Sequence, residues 1–334
     1  MKEIITIGLD LAKSVFQLHG IDTDGSVVLR RQLRRTQVLA FFSRLPPCLI
    51  GMEACGGAHH WARELMRLGH EVRLIPPSYV KPFVRRGKTD SADAEAICTA
   101  VIQPSMRFVP VKTPEQQAVL MQHRVRDFLV RQQTQLANAI RAHLGEFGIV
   151  VAKGVHHIEK LLGEAAGTAL PEPVVTSLDL LARQFMDTKV RIEEITGQIR
   201  DAAETDEQAR LLQTMPGIGP ITASAIVAHI SDTSAFRTSR DLSAWLGLTP
   251  KPHSSGGKHR VGSISKMGNR YLRRLLYLGA MGVISARRKA GEQSDWLGRI
   301  LATKPAKVAA VALANRMART IWAMLRTGEV WRPV

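Results

Sequence analysis

Over residues 4 to 30 the apolar positions recur at short, strand-like intervals, broken by the turn-forming run Asp22-Thr23-Asp24-Gly25. This spacing predicts a strand over Ile4 to Asp10, a second over Val15 to Gly20 and a hairpin turn into a third over Ser26 to Arg30. Thr36 then caps a helix reaching about Leu45. Cys48 to Met52 reads as a short apolar strand that delivers Glu53 at its end. A helix over Ala58 to Leu68 stops at Gly69, and Glu71 to Ile75 makes a further strand before Pro76-Pro77. An apolar helix over Ala92 to Val101 follows, with Asp90 and Asp93 at its start, three residues apart and so on one face.

The pattern then becomes helical. Thr113-Pro114-Glu115 is a helix start, and from there to Phe147 the chain is largely free of Gly and Pro. Further on, Leu178, Leu181, Phe185, Thr188, Ile192, Ile195 and Ile199 alternate three- and four-residue steps, the seam of a coiled coil. The two helices form an antiparallel arm, either a dimerisation or nucleic-acid-spanning element or a helical hairpin within the chain. Residues 148 to 173 are a mixed connector. Residues 211 to 230, LLQTMPGIGPITASAIVAHI, have the layout of a helix-hairpin-helix element. There Gly217 and Gly219 either turn backbone amides toward a phosphate or only make a tight turn between packed helices. The predicted organisation is α/β plus α: an α/β domain over 1–110, a helical arm over 111–209 and a mainly α domain over 210–334.

Charge narrows the partner. The 334 residues carry 46 Lys and Arg against 29 Asp and Glu, a net charge of +17, which attracts polyanions and puts nucleic acid ahead of a membrane surface. The excess is uneven: 15 basic and 10 acidic side chains lie in residues 1–110, 11 and 14 in 111–209, and 20 and 5 in 210–334. No apolar run approaches the roughly 18 to 20 residues that span a bilayer, and the start MKEIITIGLD lacks a signal-peptide layout, so a cytoplasmic protein is expected. Cys48, Cys55 and Cys98 have no CxxC spacing, which fits reduced thiols. His59-His60 and His156-His157 lack the HExxH spacing of a zinc site, and no Walker loop or dinucleotide fingerprint appears.

Three antiparallel strands followed by alternating helices and parallel strands is the order of an RNase-H-like fold. In that fold Asp10, Glu53, Asp90 and Asp93 converge, although each acid alone would read as a solvated side chain or a cap. Phosphodiester cleavage requires neutralisation of charge developing on the phosphoryl and leaving oxygens, which two magnesium ions about 4 Å apart achieve. Magnesium takes hard oxygen ligands and keeps several waters, so four carboxylates suffice. Manganese serves in its place. Lys13 either contacts a phosphate or is a surface lysine.

A second constellation lies in residues 245 to 279. Ser254-Ser255-Gly256-Gly257-Lys258 sets two hydroxyls on a glycine-opened loop beside His259 and Arg260, which suits a hydroxyl nucleophile held near a phosphate and equally suits a linker. Ser263, Ser265, Lys266, Asn269, Arg270, Arg273 and Arg274 extend a polar, basic surface that would grip backbone phosphates. Arg273 and Arg274 also read as solvated charges at the start of an apolar helix.

The motifs GLDLAKSVFQLHG, GMEACGGAHHWA and KTDSADAEAI, followed by MPGIGPITASAIVAHI, FRTSRDLSAWLGLTPKPHSSGGK and SISKMGNRYLRRLL, together resemble one family across nearly the whole chain. It is the transposases of the insertion-sequence 110 class, including its 1111 branch, related to Piv-type invertases. The resemblance implies a RuvC-like domain whose DEDD tetrad, here Asp10, Glu53, Asp90 and Asp93, binds magnesium. It implies also a C-terminal transposase domain with a nucleophilic serine, which falls within Ser254-Ser255 and is placed at Ser255. Further implications are assembly of the two parts from different subunits of a dimer or tetramer, a covalent phosphoserine link to DNA, and strand exchange between donor and target guided by an element-encoded RNA. The connector at 148–173 matches no signature, so RNA contacts are not assigned to individual residues. The competing functions are a Holliday-junction nuclease that uses the tetrad for hydrolysis and a non-catalytic nucleic-acid-binding protein.

Overall fold

Ile7 and Leu9, fully buried and two residues apart, fix the first strand, β1 (Thr6–Asp10). The computed structural model describes residues 3–84, 90–230, 232–252, 261–290 and 295–332. The chain divides into two units, Met1–Pro114 and Glu115–Val334.

In the first unit β1 is followed by β2 (Val15–Ile21), β3 (Val27–Arg34), α1 (Val38–Phe42), β4 (Leu49–Glu53), α2 (Ala58–Arg67), β5 (Glu71–Ile75), α3 (Pro77–Val80) and α4 (Asp90–Val101). They build one five-stranded sheet in the order β3-β2-β1-β4-β5. The β1–β2 and β2–β3 pairs are antiparallel, and the β1–β4 and β4–β5 pairs parallel. One face of the sheet, with Ile7, Leu9, Phe16, Leu18, Leu33, Ile50 and Met52, packs on Val38, Phe42, Trp61, Ala62 and Leu65 of α1 and α2. The opposite face receives α4, whose Ala96, Ile97, Ala100 and Val101 pack with Ile75 and Val80.

Two elements depart from the sequence pattern. The third strand runs four residues past Arg30, because Leu33 pairs with Phe16 and is only 2% exposed. Arginines at 30, 31, 34 and 35 mask the alternation of Leu29 and Leu33. Those on the packed face are accommodated by stacking: the Arg31 guanidinium lies 5.2 Å from the Phe41 ring centroid, and that of Arg35 5.1 Å from that of Trp61. Thr36 does not cap a helix. It sits inside a 3-10 turn, Arg35–Gln37, where the Arg34 amide donates to Gln37 Oε1, and α1 ends at Phe42 before Pro46-Pro47 can be accommodated.

α4 lies very close to the sheet because β1 and β4 present glycines to it. A Cβ built on Gly8 would stand 2.1 Å from the Ala94 carbonyl oxygen and 2.4 Å from the Cys98 nitrogen, and one on Gly51 would stand 2.7 Å from Val101 Cβ. Gly8→Ala is therefore expected to cost about 3 kcal/mol, the upper range for overpacking, since helix backbone rather than a flexible side chain would have to move. Denaturant unfolding measures it; a loss below about 0.5 kcal/mol would show that α4 does not press on β1.

The second unit holds α5 (Pro114–Gly145), α6 (Ile158–Ala166), α7 (Glu172–Thr205), α8 (Glu207–Gln213), α9 (Pro220–His229), α10 (Ser239–Trp245), β6 (Pro250–Pro252), β7 (Val261–Ile264), α11 (Arg270–Ala290), α12 (Trp296–Thr303) and α13 (Ala306–Thr327). The connector contains α6. Its Ile158, Leu161 and Ala165 join Leu136, Ile140 and Leu144 of α5 and Leu178 and Phe185 of α7 in one core, so this part of the α7 seam is occupied within the chain. A larger core runs from Ala203 to Met324 through α8, α9, α10, α11 and α13.

α5 is tied to that larger core by His123, which is 1% exposed. Its Nδ1 lies 3.1 Å from the Tyr271 hydroxyl on α11 and its Nε2 3.0 Å from Ser224 Oγ on α9. Burial pushes the imidazole down to about 4, with the charges of His229 and Arg126 adding to the effect. The folded chain thus holds His123 neutral while the unfolded chain protonates near 6.5. Its contribution is complete above about pH 6.5 and lost as pH falls through 4, a change of roughly 3 kcal/mol. His123→Gln should flatten the pH dependence of unfolding between those values by about that amount. Identical slopes in the two proteins would contradict this.

Candidate active site

The period of two along a strand places Gly8 and Asp10 on one face of β1, and Gly51 and Glu53 on the same face of β4. Gly8 and Gly51 are register partners, so the two glycines make a flat floor and the two acids follow at its carboxyl end. α4 rests on that floor through Ala94, Cys98 and Val101, which brings its first turn, and with it Asp93, to the acids. The Glu53 carboxyl is pushed above the usual carboxylate range, first by burial, then by the negative charges of Asp10 and Asp93. Nearby, the Cys55 thiol is also pushed up, first by burial and then by Glu53, with Asp10 contributing and its own backbone hydrogen bond opposing. Three of the four acids therefore share one electrostatic field.

Asp90 is the first residue of α4. Its side chain lies outside the described residues. Among the described residues no three His, Cys, Asp or Glu side chains are gathered tightly enough to hold one ion. The donor set nevertheless fits a hard divalent cation: the groups are carboxylates, partly withdrawn from water, and their mutual repulsion is the kind that a bound cation relieves. Asp10, Glu53 and Asp93, with Asp90, are the residues that would hold magnesium or manganese. His59 has another task, since its Nδ1 accepts the Lys112 amide at 3.2 Å. All three cysteines are free thiols, with Cys48 and Cys98 buried.

In the second unit, Ser254, Ser255, Lys258 and Arg260 lie outside the described residues. What flanks them is an antiparallel pair, β6 with β7, in which Pro250 is paired with Ile264 and Pro252 with Val261. Below it the chain crosses itself: the Ser265 amide donates to the Thr249 carbonyl at 2.8 Å and the Lys266 amide to that of Gly247 at 3.1 Å. Gly247 (φ +69°) and Gly268 (φ +73°) take left-handed conformations there. A Cβ on Gly268 would stand 1.8 Å from the Trp245 carbonyl oxygen. Arg273 locks the crossing by donating Nη1 hydrogen bonds to the carbonyls of Leu246 at 2.8 Å and Met267 at 2.9 Å. Arg274 pairs with Asp127 of α5. Lys266 and Arg270 are exposed.

Gly217 packs against α11, where an added Cβ would stand 2.8 Å from the Gly279 carbonyl oxygen, whereas Gly219, preceding α9, has open space around it. Sequence reading missed the β6–β7 hairpin because Pro250 and Pro252 argue against a central strand, although an edge ladder tolerates them. It missed also the clamping task of Arg273. The signal for both was the pair of glycines in Leu246-Gly247-Leu248 and Met267-Gly268-Asn269.

Comparison with known proteins bears on both units. Residues 209–295 match the family described as Transposase IS116/IS110/IS902, and residues 7–149 match a transposase model of the DEDD type from IS110. These matches define the chain as a transposase, a class of enzymes that process DNA. It is 49% identical over 332 residues to a probable family 20 transposase of Pseudomonas aeruginosa, with 98% of each chain covered. It is 39% identical to the transposase for insertion sequence element IS1111A of Coxiella burnetii, covering 99% of this chain and 92% of that one. A pilin gene-inverting protein of Moraxella bovis is 26% identical over 66% of this chain and 62% of its own. The chain belongs to the IS110/IS116/IS902 family of insertion-sequence transposases.

Proposed function

We propose that this transposase is a metal-dependent serine recombinase with a RuvC-like catalytic part over residues 1–110, a helical arm over 111–209 and a transposase part over 210–334. The observation that carries the reading is the shared field of Asp10, Glu53 and Asp93 at the carboxyl end of β1 and β4. These acids, with Asp90, would hold magnesium, which would supply positive charge to offset the charge developing on the phosphoryl group. The Ser255 hydroxyl attacks phosphorus, a P–O bond of the DNA backbone breaks, and the departing oxygen takes up a proton. The resulting phosphoserine keeps the ester linkage, so a hydroxyl end from the other DNA can attack it and restore the serine without ATP.

In this reading Lys258, Arg260, Lys266 and Arg270 supply positive charge to backbone phosphates of the DNA. The open Gly219 end of α9 supports a further backbone contact. Donor and target DNA are the substrates, and a structured RNA encoded by the element selects them by base pairing. The relative named as a gene-inverting protein supports recombination rather than simple hydrolysis. Exposed Met121, Phe128, Leu180 and Val190 on α5 and α7 support a homo-oligomer joined through the arm. No helix among the described residues is long and apolar enough to cross a membrane. Asp93→Asn and Ser255→Ala, assayed in a reconstituted strand-exchange reaction, test the reading.

A further inference from the structure

The strand register continues the acid site sideways. Asp10 of β1 is paired with Gln17 of β2, and Gln17 with Gln32 of β3, so these three side chains stand in one row on one face of the sheet. Strands lie about 4.8 Å apart, so the row runs roughly 10 Å from the acid to the edge strand. On β3 the same face carries Arg30, paired with His19, and Arg34, paired with Val15, one on either side of Gln32. α4 covers β1, β2 and β4 on this face. Beyond it Arg30, Gln32 and Arg34 are exposed, and Lys13 is exposed in the turn between β1 and β2. That turn is held to the end of β3 by the Arg35 amide, which donates to the Ser14 carbonyl at 2.9 Å.

The arginines of β3 and of the turn that follows it divide by face. Arg31 and Arg35 stack on aromatic rings. Arg30 and Arg34 have neither a ring nor an acid beside them among the described residues, and with Lys13 they leave three cations along the row that starts at Asp10. We propose that Lys13, Arg30 and Arg34, with Gln17 and Gln32 between them, form a lane for the sugar-phosphate backbone of the DNA strand that enters the carboxylate end. The inference rests on the proposed function. Charge complementarity and continuity with Asp10 carry it: a polyanion approaching several carboxylates needs cations along its path, and the two amides offer hydrogen bonds without sequence preference. The competing explanation is that the arginines only guard an exposed sheet edge against strand pairing.

The test is binding of fluorescent single-stranded DNA to full-length protein in magnesium, with Asp93→Asn throughout to prevent cleavage. Loss of two phosphate contacts lowers the slope of log affinity against log salt by about 1.4 and weakens binding roughly 25-fold near 0.1 M salt. Arg30→Gln with Arg34→Gln is expected to show both effects. Arg44→Gln with Arg67→Gln removes the same charge from exposed positions outside the lane and should change affinity less than about twofold. An unchanged slope in the Arg30/Arg34 variant overturns the lane, and so does aggregation without weaker binding, which would assign the arginines to edge protection. A loss seen with single-stranded RNA but not with DNA overturns it as well. The catalytic reading is judged separately, by cleavage with and without Asp93→Asn in otherwise wild-type protein, so either can fail alone.

Discussion

Asp93→Asn is expected to reduce DNA cleavage and strand exchange by about a thousandfold or more, the scale seen when a group that stabilises developing charge is removed. The substitution keeps the size of the side chain and its place in the first turn of α4, so the packing of Ala94 and Cys98 on Gly8 is untouched. What changes is charge. Glu53 loses one of the two neighbours that raise its pKa, and its carboxyl moves back toward the ordinary range while burial and Asp10 still hold it up. The pocket then attracts a divalent cation less strongly, and phosphoryl charge is no longer balanced. Affinity for DNA should hold or rise slightly, because a negative charge has left the neighbourhood of a phosphate. Cleavage within about tenfold of wild type would remove Asp93 from the site. Loss of binding and cleavage together would point to misfolding, which the unfolding transition reveals.

Ser255→Ala is expected to eliminate any protein–DNA adduct that survives denaturation, and strand exchange with it, while Ser254→Ala leaves both. An alanine has no oxygen to attack phosphorus, and nothing in the scheme bypasses that step. A covalent link is also the property that separates this chemistry from hydrolysis, in which water attacks and no protein remains on the DNA. Disappearance of the adduct in Ser254→Ala but not in Ser255→Ala would move the nucleophile by one residue. Strand exchange that persists in both single variants would end the serine mechanism. Cleavage by wild-type protein without any adduct would return the chain to the junction-nuclease reading.

Much of the first unit was legible because its strands are short and bounded by strong breakers. The turn at Asp22 to Gly25, the stop at Gly69 and the pair Pro76-Pro77 place β2, β3 and β5 within a few residues of their observed limits. β3 was cut short because the arginine pairs at 30–31 and 34–35 conceal a buried face, and only the rings of Phe41 and Trp61 reveal why Arg31 and Arg35 are tolerated. α6 was invisible in the connector: Ile158, Leu161 and Ala165 are too few to announce a helix without the α5 and α7 surfaces they fill. Arg273 and Arg274 read equally as phosphate contacts and as solvated helix charges, because a basic pair has no direction in sequence. In the structure one ties together the base of the β6–β7 hairpin and the other pairs with a residue 147 positions away.

The sequence by itself determined which groups of chemistry the protein possesses: four acids at strand ends and a helix start, a serine pair between glycines, and a strongly basic final third. Local backbone preference and side-chain charge are properties of neighbouring residues, so they survive reading in one dimension. Only the tertiary structure decided how closely those groups meet. Gly8 and Gly51 show the reason. Each is an ordinary glycine in its own strand, yet together they let α4 approach near enough for Asp93 to act on Glu53, and no pattern within either strand contains that distance.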